Sequence, residues 1–534
     1  MNNRLSQTGQ RYFCVPPATL RWFVTVLLIV GIVLRLVNLD LKVYAHDEVY
    51  TSLRVSGYVG EEVSEAIRDR YLTIEELLQY QDPGDRSWGD TLHSLATHPE
   101  HPPLFYLLER GWISIFGSSV TSFRALPAVI SLFLFPAIYW LCLELFESPT
   151  TGWFAIGLLA VSPFHVLFAQ EARQYSLWAL LTIVSSAALL RGMRTQNASM
   201  WWLFWVSSML NFYTALLAPL LTFGHGLYVL VMEKWRPTKT VRCFVVAAVA
   251  AGIGFLPWLY VVYTGWTTFQ TKTGWLNNDK TLPHLIRLWG LHLNTVFVDV
   301  PLGPETFGSR AISIAATLLV LLAFGQLIRK SSLRVWLLPV SAFVFTSFPL
   351  ILSDILKDGQ RSSQTRYFAP ALIVLVVVTA DMLARWWTSD RRRPQQIGTG
   401  LLCVLLTCGV LSSVKIAMSD VWWNKAVSFT VPEESRFINQ YEDPLIVAGT
   451  SSISMGNLIA LGHKLDPDTQ LYIAVDTMPE IPEDAEPVFL SYANDDLKEY
   501  LRQTEGAQLD RVAETGVYLR WVRRPSEELA EGDS

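Results

Sequence analysis

Charge is what this sequence has least of. Only 17% of its 534 residues are Asp, Glu, Lys or Arg, against about a quarter in soluble domains. With 51% hydrophobic residues and a positive mean hydropathy, this argues against a soluble chain. The net charge of -5 and the absence of a basic field exclude a nucleic-acid partner. The five cysteines form no CxxC or Cys/His cluster, which argues against a zinc site or a disulfide framework. Four of them, Cys142, Cys243, Cys403 and Cys408, lie in or beside apolar runs, as free thiols in a membrane would. There is no glycine-rich phosphate cradle, no G-x-S-x-G elbow, no internal repeat and no low-complexity tract.

What is present is a series of long apolar segments. A membrane-crossing helix needs about 20 residues. Candidate spans run over 19–38, 122–146, 151–169, 173–191, 201–217, 218–233, 241–263, 309–328, 335–353, 367–387 and 398–418, which makes eleven. Ala218-Pro219 separates the two shortest. The segment 102–117 is apolar but short and carries Glu109 and Arg110, so it is read as interfacial. The 20 tryptophans and 19 tyrosines suit the membrane–water boundary. The first span is read as a retained anchor, because no small-residue cleavage site follows it closely.

Cationic loops set the expected sidedness. Arg4, Arg11 and Arg21, then Arg191 and Arg194, then Lys234, Arg236, Lys239 and Arg242, then Arg329, Lys330 and Arg334, and last Arg385 and Arg391 to Arg393 all fall on one side if 102–117 does not span. The expectation is a multi-pass protein of the inner or plasma membrane. Its N-terminus (1–18) is cytoplasmic and its C-terminal region extracytoplasmic.

The expected organisation is a transmembrane domain over 19–424, with a long first outer loop at 39–121. In that loop Val63, Ile67, Ile74, Leu77 and Leu78 fit an amphipathic helix lying on the membrane interface. A small extracytoplasmic α/β domain follows over 425–525. Its short strands are expected at 445–449, 471–475, 487–492 and 516–522, with a helix at DDLKEYLRQT. The acidic tail 526–534 reads as disordered.

Charges beside a membrane usually have a task or a partner. His46-Asp47-Glu48 follows the first span. It offers a general base or a metal ligand, or simply an acidic first turn complementing a helix dipole. Glu171, Arg173 and Tyr175 occupy a second outer turn, QEARQY. Glu171 and Tyr175 are spaced i,i+4, as on one helical face; a polar interface cap is the plainer alternative. Lys357, Arg361 and Arg366, followed by Tyr367, border a later span. They suit phosphate or lipid headgroups. His98 and His101 flank Glu100, but the adjacent prolines preclude a regular helix and favour a structured entry turn.

Several strings, in this order, resemble a known family. YAHDEVYTSL follows the first span; HPPLFYLLERGWISIFGSSVTSFRALPAVIS and SPFHVLFAQEARQYSLWALL come next; RYFAPAL opens the span at 367. Together they are similar to bacterial membrane glycosyltransferases of the family 39 type, which include protein O-mannosyltransferases and the aminoarabinose transferases that modify lipid A. The likeness is close over 40–190 and looser through 420. It implies an all-α, GT-C-type polytopic fold and a sugar donor linked to a polyprenyl phosphate. It places the active site on the outer face, with Asp47 at the family's acidic position and Glu48 beside it as the expected catalytic residues. Glu171 and Arg173 match the second outer motif, and Arg366 and Tyr367 the motif near the donor phosphate. Lys357, Arg361 and Arg173 are the further expected phosphate contacts. Glu171, Tyr175, His101 and His46 are the expected substrate-pocket residues. Asp47 and Glu171 are also of the type that holds a divalent cation.

The expected chemistry is inverting transfer to an acceptor hydroxyl with Asp47 as base. The acceptor could be a protein, a lipid or a polysaccharide, and membrane lipids surround the chain. A transporter or flippase of lipid-linked sugars is the rival class. It predicts interrupted helices in two related halves, which this sequence lacks.

Overall fold

The computed structural model describes residues 17–300, 306–449, 452–482, 485–504, 506–512 and 520–523. Arg4 and Arg11, the start of the segment expected as a strand at 516–522, and the tail 526–534 lie outside the described residues.

The chain is a multi-pass membrane protein. Among the described residues eight helices are long and apolar enough to cross a membrane: Ala18–Leu36, Val120–Phe146, Tyr175–Thr195, Lys239–Thr264, Phe307–Lys330, Leu333–Lys357, Thr365–Trp387 and Arg392–Ala417. A bent pair, Pro149–Ala160 with Pro163–Ala169, raises the number to nine if it counts as one span. The described residues thus hold eight or nine such spans, where the sequence leads one to expect about eleven. Each expected segment is helical, but Ala198–Phe212 has 15 residues and Pro219–Met232 has 14. At 1.5 Å per residue each is only about 21–23 Å long, short of a hydrocarbon core of about 30 Å. Leu104–Phe116, with 13 residues, is shorter still and is not among the spans.

The bend in the pair has a local cause. Leu159 would offer its carbonyl to the amide four residues on, and that residue is Pro163, which has none. Arg35 caps the end of the helix, donating to the carbonyls of Leu159 (2.8 Å) and Ala160 (2.7 Å). The amide of Phe164 is diverted to the carbonyl of Thr295 at 2.9 Å. The close approach also needs Gly31, because a Cβ there would meet the Ala160 oxygen at 2.5 Å.

Burial differs sharply between spans. In Thr365–Trp387 every residue from Ala369 to Ala384 is buried, as expected of a helix apolar on all sides. In Lys239–Thr264 only scattered residues such as Ala247, Ala251 and Phe255 are. Two carboxylates in this unit are held by cations expected on the inner side. Glu144 binds Arg191 (2.9 Å) and Arg194 (2.6 Å), and Asp381 binds Arg385 (2.7 Å).

Residues cluster into two compact units. The first comprises 1–39, 95–109 and 123–418; the second 40–94, 110–122 and 419–534. The second is built on a six-stranded mixed sheet of order β1-β3-β2-β4-β6-β5. The strands are β1 (Tyr71–Thr73), β2 (Leu445–Gly449), β3 (Gln470–Ala474), β4 (Val488–Ser491), β5 (Gln508–Arg511) and β6 (Arg520–Arg523). β2 lies parallel to both β3 and β4, whereas β1, β5 and β6 pair antiparallel. Both sheet faces are covered. Leu445, Val447, Val488 and Leu490 pack with Leu497 and Leu501 of the helix Asp495–Thr504. On the other face, Phe489 meets the rings of Phe437 and Tyr441.

The single amphipathic helix expected in the first outer loop is not present. It is divided into Gly60–Ile67, β1 and Ile74–Leu78. Asp69 breaks it, with φ +56° and a carboxylate that accepts the amides of Val475, Asp476 and Thr477 at 2.9–3.1 Å. These bonds hold its carboxyl below the usual range. Thr73 then caps the next helix through the Glu76 amide. Val63, Ile67, Ile74 and Leu77 are all buried, so their apolar faces pack within the protein.

Candidate active site

The acidic motif opens the helix His46–Ser56. Ala45 has no side-chain acceptor, so the cap depends on Glu48, whose carboxylate reaches back to the Ala45 amide at 3.3 Å. The same carboxylate binds the Lys425 ammonium at 2.7 Å, and both side chains are buried. Glu48 is therefore one half of a buried ion pair. Asp47 points elsewhere, as neighbours about 100° apart on a helix must, and it is only half-buried. His46 is fixed by its backbone, its amide donating to Ser428 Oγ at 3.1 Å, and its ring tilts against Tyr50. Ser428 Oγ in turn donates to Asn457 (2.7 Å). Gly456 approaches the imidazole so closely that a Cβ would collide with Nδ1.

The second motif lies in the membrane unit. Gln170 caps the first span, donating to the carbonyls of Leu34 (2.9 Å) and Val37 (2.8 Å). Glu171, Arg173 and Tyr175 are all buried. The expected i,i+4 helical face for Glu171 and Tyr175 is not formed, because residues 170–174 are a turn and the helix begins at Tyr175. The preceding helix, Pro163–Ala169, has ended by then. Tyr175 packs edge-on against Phe168 instead.

His98 and His101 form the expected entry turn: the His101 amide donates to the His98 carbonyl (3.1 Å), and the His101 ring lies 3.6 Å from Glu100. The following helix carries Glu109, which is fully buried and has no hydrogen-bond partner for either carboxylate oxygen among the described residues. Burial raises its carboxyl well above the ordinary value of 4.5.

The cationic motif is more ordered than the sequence suggests. Lys357 ends its span and is exposed. Beyond it run two short 3₁₀ turns, Arg361–Ser363 and Thr365–Phe368, joined by an extended Gln364. Ser362, Thr365 and Phe368 are buried, while Arg366 and Tyr367 remain partly accessible. Asp354 anchors the start, accepting the amides of Arg361 (3.0 Å) and Ser362 (2.5 Å). The Arg361 guanidinium is held by Asn277 and lies 3.6 Å from Asp354. The Arg366 guanidinium lies 5.8 Å from the Tyr367 ring. His292 and Trp289 also bind this segment. Neither carries a local sequence signal: His292 is one of two histidines in the loop 264–308, with His284, and nothing near it hints at its partners. Lys425 was equally invisible as the partner of Glu48.

Among the described residues no group of three or more His, Cys, Asp or Glu gathers as metal ligands.

No family model matches the chain, and no curated protein matches it by sequence. Solved structures do. ArnT from Cupriavidus metallidurans, determined bound to undecaprenyl phosphate and in the apo state, superposes with a TM-score of 0.55 at 12% identity. The match covers 95% of this chain and 98% of that one. The chain has the ArnT fold. With eight or nine spans among the described residues and a C-terminal mixed sheet, the fold is of the polytopic GT-C type that the sequence resemblance implies. The ArnT likeness spans both the membrane helices and the sheet, so the C-terminal region is part of a shared architecture.

Proposed function

We propose that this protein is a membrane glycosyltransferase that moves a sugar from a polyprenyl-phosphate donor to an acceptor hydroxyl on the outer face of the membrane. The observation that carries the reading is the near full-length likeness to ArnT, whose structure was determined with undecaprenyl phosphate bound. Sidedness follows the cationic loops, which place the N-terminus inside.

The residues support a division of labour. Asp47, half-buried in the first turn of its helix, is the base, and Glu48 beside it is tied to Lys425. The Asp47 carboxylate takes the acceptor hydroxyl proton as that oxygen attacks the anomeric carbon. The bond from that carbon to the phosphate oxygen breaks, and its electron pair leaves with the polyprenyl phosphate. A phosphate stabilised by cations departs without a general acid, so one carboxylate suffices where glycoside hydrolases use two. Arg366 supplies that stabilisation, with Tyr367 beside it and Lys357 and Arg173 as further contacts. Arg361, tied to Asn277 and Asp354, shapes the segment. Glu171, Tyr175, His101 and His46 are assigned to the substrate on the family resemblance of the motifs that carry them. A single displacement inverts the anomeric configuration.

The test is mass spectrometry of glycoconjugates from a deletion strain complemented with wild type, Asp47→Asn or Arg366→Ala. The reading expects a sugar missing from one carrier, restored by wild type and by neither variant. Full restoration by both variants would remove the reading. Release of free polyprenyl phosphate separates transfer from flipping, which leaves the donor intact.

A further inference from the structure

We propose that His292 is a positioning residue that staples the two 3₁₀ turns of 361–368 together and so fixes Arg366 for the donor phosphate. The inference rests on the reading above.

The segment has little internal scaffolding. Within it, backbone bonds join Ser363 to Gln360 (3.2 Å), Gln364 to Arg361 (3.3 Å) and Tyr367 to Gln364 (3.0 Å), and extended Gln364 interrupts any helical ladder. Side chains from elsewhere must therefore set its shape. Ser362 is gripped at three atoms. Its amide donates to Asp354, its Oγ accepts from Trp289 Nε1 (2.9 Å), and its carbonyl accepts from His292 Nε2 (3.0 Å). Across Gln364, Thr365 Oγ lies 2.7 Å from His292 Nδ1.

These partners assign the tautomer. A carbonyl can only accept, so Nε2 carries the proton. Nδ1 is then a lone pair, and Thr365 donates to it. One neutral imidazole thus bonds both turns at once. It is fully sequestered, with its ring against Phe368 at 5.2 Å, and burial lowers its pKa to about 4. Burial thus keeps the ring neutral, and in the neutral ring the Thr365 hydroxyl is the donor to Nδ1. Arg366 directly follows Thr365, so an error in Thr365 is passed to the guanidinium. Small misplacements of a positioning group cost large factors in rate.

The experiment measures binding of undecaprenyl phosphate to the full chain in nanodiscs, together with thermal unfolding. Thr365→Val removes the hydroxyl at nearly constant shape and is expected to weaken binding about 3- to 10-fold, the size of one lost hydrogen bond. Thr365→Ser keeps the hydroxyl and is expected to bind as wild type. His292→Phe removes both bonds and is expected to weaken binding more than Thr365→Val. Should that variant not fold, the threonine pair still decides. Wild-type affinity in Thr365→Val, or equal losses in Thr365→Val and Thr365→Ser, would overturn the inference. Arg366→Ala is the control for the underlying reading. If it weakens binding while Thr365→Val does not, only the staple fails. If Arg366→Ala itself binds normally, the donor site is elsewhere.

Discussion

The acidic segment 46–48 and the cationic segment 354–367 are built by opposite means. In the first, one long-range partner does most of the work: Lys425, 377 residues away, clamps Glu48. In the second, many nearer bonds share it, from Asp354, Asn277, Trp289 and His292. Each segment nevertheless ends in the same arrangement. A buried polar group is fully committed to the fold, and its neighbour, Asp47 or Arg366, stays partly accessible. Neighbouring residues therefore need not share a role, and burial is what separates them.

The largest effects should divide Asp47 from Glu48. Asp47→Asn is expected to lower transfer about 100- to 10,000-fold, the range for loss of a general base, with little change in thermal unfolding. Glu48→Gln should do the reverse. Removing one partner of a buried pair costs about 3–5 kcal/mol, which would be read as a lowered unfolding temperature in detergent. The double variant Glu48→Gln with Lys425→Met should recover part of that loss. A Glu48→Gln protein as stable as wild type would break the comparison at its first half.

Arg366→Ala comes next. Loss of a charge-assisted contact is expected to weaken donor binding roughly 10- to 100-fold, without the stability loss of Glu48→Gln. Equal stability losses in the two would erase the distinction between committed and accessible groups.

Glu109 gives the subtlest test, because it is as buried as Glu48 and lacks a lysine. Its folded pKa lies above the ordinary 4.5, so the folded protein holds a proton that the unfolded chain releases. Stability is then full below about pH 4.5 and falls as pH rises through the folded value, by up to about 1.4 kcal/mol per pH unit. Glu109→Gln should flatten that dependence over the same window, measured by unfolding at a series of pH values. An unchanged pH profile would show that Glu109 does not titrate as its burial requires.

Much of this fold is legible in the sequence because its signals are local. The apolar segments all become helices, and 445–449, 471–475 and 487–492 coincide with β2, β3 and β4 to within a residue at each end. DDLKEYLRQT is a helix from Asp495 to Thr504. What was hidden depends on distant partners. β1 is three residues long inside a stretch with helical spacing, and only pairing with β3 makes it a strand. The span count is the least legible part, because composition does not report where Ala198–Phe212 and Pro219–Met232 stop short. At the candidate site, Asp47 and Arg366 stood out as charges beside spans. Lys425, His292 and Thr365 did not, since nothing near them in sequence reveals what they hold.

The central claim, that the cation holds the donor and the acid acts on the acceptor, is tested most directly by native mass spectrometry of undecaprenyl phosphate bound to the protein in nanodiscs. The account predicts binding by wild type and by Asp47→Asn, and a clear loss of binding in Arg366→Ala. Equal binding by all three, or a loss in Asp47→Asn as large as in Arg366→Ala, would contradict it.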